Sequence, residues 1–96
     1  MVIGVLQVEL FIGGSMSLKD KRSVVLGIKD RIGRENAVAV AEIDKLEAHQ
    51  VAVLGIATVS NSATRARETL DRLVENLRRH REAVVSNHQI EILSGQ

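Results

Sequence analysis

Lys19, Lys21, Arg22 and Lys29 share one periodic segment, and cations at such spacing can hold phosphate oxygens or the carboxylates of an acidic partner. At about 100° per residue, Lys19, Arg22 and Lys29 gather along one flank of a helix, with Leu26 among them. Lys21 projects instead toward the apolar side, near the start of that helix. There it either snorkels past the sheet edge to water on its aliphatic stem, or meets an anionic partner or a carboxylate of a neighbouring strand. The expectation is a contact surface for RNA or an acidic protein patch, made of Lys19, Lys21, Arg22 and Lys29.

Other chemistry has less support. The loop Gly13-Gly14-Ser15-Met16-Ser17 follows the first strand, where an acylphosphatase-like enzyme keeps an arginine to hold phosphate. This loop has no arginine, which leaves backbone amides and a helix start for an anion. A small anion-binding protein or enzyme using loop 13–17 is therefore the last of three readings. His49, His80 and His88 fall in different elements without the i,i+4 pairing of a zinc site. The serines cluster where helices begin, and capping explains them. Glu9 and Glu42 lie in or beside apolar strands. They either pair with Lys21 or Arg22, or share a polar pocket. No catalytic constellation, metal or cofactor is expected.

Those residues must be positioned by a small chain. Ninety-six residues suit one domain, 1–96, that buries roughly 60–70% of the surface of the unfolded chain. Phe11 is the sole aromatic, so Val, Ile, Leu and Ala must fill the core. The formal net charge of +1 argues against bulk affinity for polyanions and leaves any nucleic-acid surface to local clustering. Polar residues interrupt every apolar run before it reaches membrane-spanning length. The start, Met-Val-Ile-Gly-Val-Leu-Gln-Val-Glu, reads as a strand and not as a secretory leader. With no cysteine, disulfides are excluded, and a cytoplasmic location is the default expectation.

Alternation marks a first strand from Val2 to Ile12, with Leu6, Val8 and Leu10 on one face and Val5, Gln7, Glu9 and Phe11 on the other. Ser17 with Asp20 three residues on starts a helix whose apolar face is Leu18, Val25, Ile28 and Ile32, and which ends around Gly33 to Asn36. Ala37–Ile43 and Val51–Ser60 read as two more strands joined by the polar stretch Asp44–Gln50. Ser60-Asn61-Ser62 caps a second helix from Ala63 to about Arg81, with Ala63, Ala66, Leu70, Leu73, Val74 and Leu77 inward. Its outer face, Arg65, Glu68, Arg72, Glu75 and Arg79, reads as a self-paired ladder. The arginines 78, 79 and 81 suit the negative end of the helix dipole. Val84–Leu93 is the last strand, and Ser94-Gly95-Gln96 is expected to fray.

The order β-α-β-β-α-β with right-handed crossovers predicts a ferredoxin-like α+β sandwich. Its four-stranded antiparallel sheet has strand order 4-1-3-2, and both helices lie on one face. The other face then exposes an apolar patch, and Val5, Phe11, Val53 and Val59 are the expected interface residues of a homodimer that covers it. Sheet-face stacking of RNA bases requires aromatics on the central strands, where Phe11 is at best the one on offer, so stacking on the sheet face is not expected.

Several segments together resemble the YlxP-like family of small bacterial proteins, a domain of unknown function. They are Gly14-Ser15, Ser17-Leu18-Lys19-Asp20-Lys21-Arg22-Ser23, Ile28-Lys29-Asp30-Arg31, Val40-Ala41-Glu42, Val53-Leu54-Gly55, Val59-Ser60-Asn61 and Ile90-Glu91-Ile92-Leu93. The resemblance spans essentially the whole chain. It implies a ferredoxin-like fold and no established enzymatic activity. Members are often encoded near translation and ribosome-maturation genes, which implies RNA or a ribosomal particle as partner. The chain departs from the family at Gly13 (usually proline), Asn36 (an aromatic), His49 (tryptophan) and Val51 (arginine). The basic helix start is intact, and Lys19, Lys21, Arg22 and Lys29 are the residues the resemblance carries over.

Overall fold

The computed structural model describes residues 1–95, and Gln96 lies outside the described residues. Its elements run β1 (Val2–Phe11), α1 (Leu18–Glu35), β2 (Ala39–Asp44), β3 (Val51–Ser60), α2 (Ala63–Arg78) and β4 (Val84–Ser94). The sheet order is β2-β3-β1-β4, with every neighbouring pair antiparallel. This is the ferredoxin-like order expected, read from the other edge.

Local chemistry explains the boundaries. Ser17 Oγ accepts the Asp20 N–H at 3.1 Å, and Asp20 Oδ2 reaches back to accept the Met16 N–H at 2.9 Å. Two backbone donors at the start of α1 are thus satisfied reciprocally. Asn36 closes the other end, its backbone N–H and its side-chain amide both donating to Ile32 O at 3.1 Å. Ser62 caps α2 in the same way as Ser17 caps α1, through Arg65 N–H.

Three boundaries differ from the sequence pattern. α2 stops at Arg78, short of Arg81, because Ala83 must turn inward and is buried. Arg79 and His80 close the helix with bonds to Asn76 O and Leu77 O. β2 begins at Ala39, since Ala37 O accepts the Thr58 hydroxyl. Of the three residues expected to fray, Gln96 lies outside the described residues and the other two are held: Ser94 pairs with Val2, and Gly95 N–H donates to Met1 O at 3.0 Å.

Alternation in β1 puts Leu6, Val8 and Leu10 under the helices, where they meet Ala52, Leu54 and Ile56 of β3. Val25, Ile28 and Ile32 of α1 and Leu70, Leu73, Val74 and Leu77 of α2 complete this core. Burying each such Leu, Ile or Val contributes about 1.5–3 kcal/mol. Leu18, expected among them, is half-buried and outside the core cluster. The first inward position of α1 belongs to Lys21 instead. The expected ladder on the outer face of α2 does not pair with itself: among the described residues Glu75 meets Arg78, outside the ladder, at 3.7 Å, and no two ladder members lie within 4 Å.

One close approach sets the spacing of β1 and α2. A Cβ on Gly4 would stand 2.9 Å from Leu70 Cδ1, 3.1 Å from Thr58 Cγ2 and 3.3 Å from Ala66 Cβ. Gly4→Ala should therefore overpack this junction and lower stability by about 1–3 kcal/mol. Urea unfolding should show a lower midpoint at unchanged slope.

Candidate functional site

Of the four cations expected at a surface, Lys21 is not at one. Its side chain is 1% exposed. The ammonium lies 2.8 Å from Glu42 Oε2, and it donates to Lys45 O and Val51 O at 3.1 Å each and to Leu46 O at 3.4 Å. It does not snorkel to water. Inward-facing Glu42 of β2 supplies the countercharge, and the β2–β3 loop supplies carbonyls for the remaining donor capacity. Glu42 Oε2 has no other hydrogen-bond partner among the described residues. Lys21 is thus corrected from contact residue to internal clasp.

Lys19, Arg22 and Lys29 keep their expected flank. Lys19 and Arg22 are exposed, Lys29 is half-buried, and none of the three has an ion pair among the described residues. Leu26, 56% exposed, stands within the row. The positions 19, 22, 26 and 29 follow i, i+3, i+7, i+10 spacing, so they form one ridge along the helix. No carboxylate interrupts it; Asp30 falls just outside.

The open side of the sheet divides into two parts. At one end Glu9 of β1 takes hydrogen bonds from Ser86 Oγ at 3.0 Å and Lys45 Nζ at 3.2 Å. Glu9 and Asp44 flank Val53 in the ladder, so the Lys45–Glu9 pair passes over it. Val53 is consequently 4% exposed and offers no surface to a partner, against expectation. Ser86 reaches Glu9 because β4 bulges there, between the pairs Glu9↔Asn87 and Leu10↔Val85. Ser86 and then Lys45 hold the Glu9 carboxyl below the usual glutamate range. Glu9 and Glu42 face opposite sides of the sheet and share no pocket.

The other part of that side is apolar. Val59 is 67% exposed, and half-buried Val5 lines a shallow groove of about 290 Å³ with Ala39, Ala41, Ile43 and Ala57. Gly55 forms its floor beneath Ile43. Phe11 lies at the far end of β1, away from that groove.

Phe11 belongs to a third place. A cavity of about 670 Å³ opens between the Gly13–Ser15 loop, the first turns of α1 and the α2–β4 connection. Phe11, Ser23, Arg81 and Glu82 line it together with Asp20. Here the structure supplies what the sequence of the loop lacks: an arginine, brought from 66 positions further along the chain (81 − 15). In the sequence Arg81 stands at the expected end of the second helix, where it suits the dipole, and no local pattern ties it to Gly13. The loop itself is fixed by Gln50, whose Nε2 donates to Gly13 O at 3.2 Å and Ser15 O at 3.3 Å.

The chain belongs to the family described as Protein of unknown function (DUF503), which matches residues 3–90. No curated protein matches it in sequence. Among solved structures, the de novo designed protein Foldit4 is similar with a TM-score of 0.54 at 12% identity, over 98% of this chain and 99% of that one. The designed protein LFR1 1, described as having a ferredoxin fold, gives 0.49 at 15% identity over 97% and 84%. An amidase of the hydantoinase/carbamoylase family from Burkholderia phymatum gives 0.46 at 16% identity, over 99% of this chain and 29% of its own. The likeness to Foldit4 shows the fold alone.

Removing Lys21 leaves Glu42 charged against the core. Lys21→Met should lower stability by about 3–5 kcal/mol, and Lys21→Met with Glu42→Gln should recover part of that. Urea unfolding of the double-mutant cycle reads the coupling directly. For Glu9, Ser86→Ala or Lys45→Met should raise the carboxyl pKa toward the ordinary value, read by NMR titration. Because the folded-state pKa is the depressed one, the contact contributes above the unfolded pKa and is lost as pH falls through the folded value.

Proposed function

We propose that this member of the DUF503 family is a non-catalytic binding module, acting as one domain in the bacterial cytoplasm. It holds RNA, within a ribosomal particle, on the Lys19–Arg22–Lys29 flank of α1. One observation carries this reading: exposed Lys19 and Arg22 and half-buried Lys29 stand in one row, with no ion-pair partner among the described residues and no intervening acid. The outer face of α2 has as many arginines, but Glu68, Asp71 and Glu75 are interleaved with them. The YlxP-like resemblance points the same way, since its basic helix start is kept. Lys21 is left out of the surface and placed beneath it as a support.

Phosphate contacts release counterions, so affinity for a single strand should fall with salt at a log–log slope of about −0.7 per contact. Three contacts predict about −2, and replacing any one of Lys19, Arg22 or Lys29 by Gln should flatten the slope by about 0.7. A salt titration of fluorescent oligonucleotide binding measures this. A slope that stays the same in all three variants would dispose of the reading.

A second reading rests on a different observation, the exposure of Val59 beside the groove of Val5, Ala57 and Ile43. Apolar surface on an open sheet side is covered at least cost by another copy of the same side. In that reading the chain is a homodimeric interaction module. Sedimentation should then show a dimer at low micromolar concentration that Val59→Glu converts to monomer. A wild-type monomer throughout that range removes this reading and leaves the first intact.

A further inference from the structure

We propose that the cavity beside the first turn of α1 receives one unpaired nucleotide of the bound RNA strand, with its base against Phe11 and its phosphate on Arg81. This rests on the RNA reading of the α1 row and names what that row delivers. Three observations converge on it.

The first is the mixed chemistry of the lining. Arg81 is joined by Glu82 and Asp20, so the cavity does not favour a free anion. Asp20 keeps its charge, but its Oδ2 is turned to the Met16 N–H. The lining thus offers one cation, two carboxylates of which Asp20 is held at the helix start, and a hydroxyl from Ser23. That set suits a ligand with an anionic end, sugar hydroxyls and a ring carrying an amino group. A carboxylate can accept from the exocyclic amine of cytosine, adenine or guanine, whereas uracil has none to offer.

The second is the position of the sole aromatic. Phe11 is 45% exposed and leans over Gly13, where a Cβ would stand 2.9 Å from its ring carbon Cε2. Glycine at this position lets the ring lie over the loop, at the wall of the cavity. Single-stranded bases are recognised by stacking on such a ring once they are splayed from their neighbours. One ring serves one base, and the cavity of about 670 Å³ has room for a nucleotide.

The third is continuity. Ser23 lies one helical turn from Lys19, at i,i+4 spacing, so the cavity adjoins the basic row. A strand whose phosphates lie along Lys29, Arg22 and Lys19 can turn its next base into this opening. Gln50 and the Lys21 clasp hold the loop and α1 in place around it.

The test uses the full chain with fluorescent pentamers of oligocytidine, oligouridine, and oligocytidine bearing one abasic site. The abasic pentamer, oligouridine, and oligocytidine on Phe11→Leu should each bind more weakly than oligocytidine on the wild type. Loss of the stacked base is expected to weaken binding by about five- to hundredfold. Arg81→Gln should weaken all pentamers and flatten the salt slope by about 0.7. Phe11 and Arg81 stand outside the core, and heteronuclear NMR spectra of both variants check that the fold is unchanged. Equal binding of all three pentamers and of Phe11→Leu, with the Lys19 and Arg22 variants still weakened, would overturn the nucleotide site and leave the α1 row standing. No binding of any pentamer would overturn both. Amide shifts at Gly13, Ser23 and Arg81 produced by free amino acids but not by cytidine monophosphate would also overturn it, by naming a different ligand.

Discussion

A single ammonium group, on Lys21, is placed where the hydrophobic stripe of α1 requires an apolar residue. A charge in such a position is tolerated only when countercharge and acceptors surround it. Glu42 and three loop carbonyls do so. The consequence is structural: α1, the short edge strand β2 and the β2–β3 loop are tied through one atom. β2 buries little of its own, since only Val38 and Val40 from that stretch pack against the core. Its attachment to the sandwich therefore rests heavily on the Glu42 carboxylate meeting Lys21.

The same end of the molecule carries a second tie. Ile12 N–H donates to Gln50 O at 2.7 Å, and the Gln50 side chain returns two bonds to the β1–α1 loop. The two loops at this end are thus joined to each other as well as to α1. An otherwise exposed glycine-containing loop becomes a fixed wall for the cavity that Phe11 and Arg81 share.

The open side of the sheet shows how a polar cluster can decide which apolar residues are available. Val53 and Val59 sit on the same strand and point the same way. The Lys45–Glu9 pair lies over the first, whereas the second stays 67% exposed. The residue types alone do not separate them, because the covering groups come from β1 and the hairpin loop.

The sequence alone determined the architecture. The period of two in β1, the helical stripes of α1 and α2 and the serine caps are local, repeated signals, and right-handed crossovers leave four strands and two helices in this order few ways to fit together. It also placed Lys19, Arg22 and Lys29 on one flank, because helical angle depends only on spacing. The tertiary structure decided whatever depends on partners distant in the chain. Lys21 became internal because Glu42 and backbone carbonyls arrive beneath it, Val53 was covered from β1 and the hairpin loop, and Arg81 reached the Gly13 loop from the far side of α2. Periodicity reports which way a side chain points, whereas burial and charge pairing depend on what the fold brings to meet it.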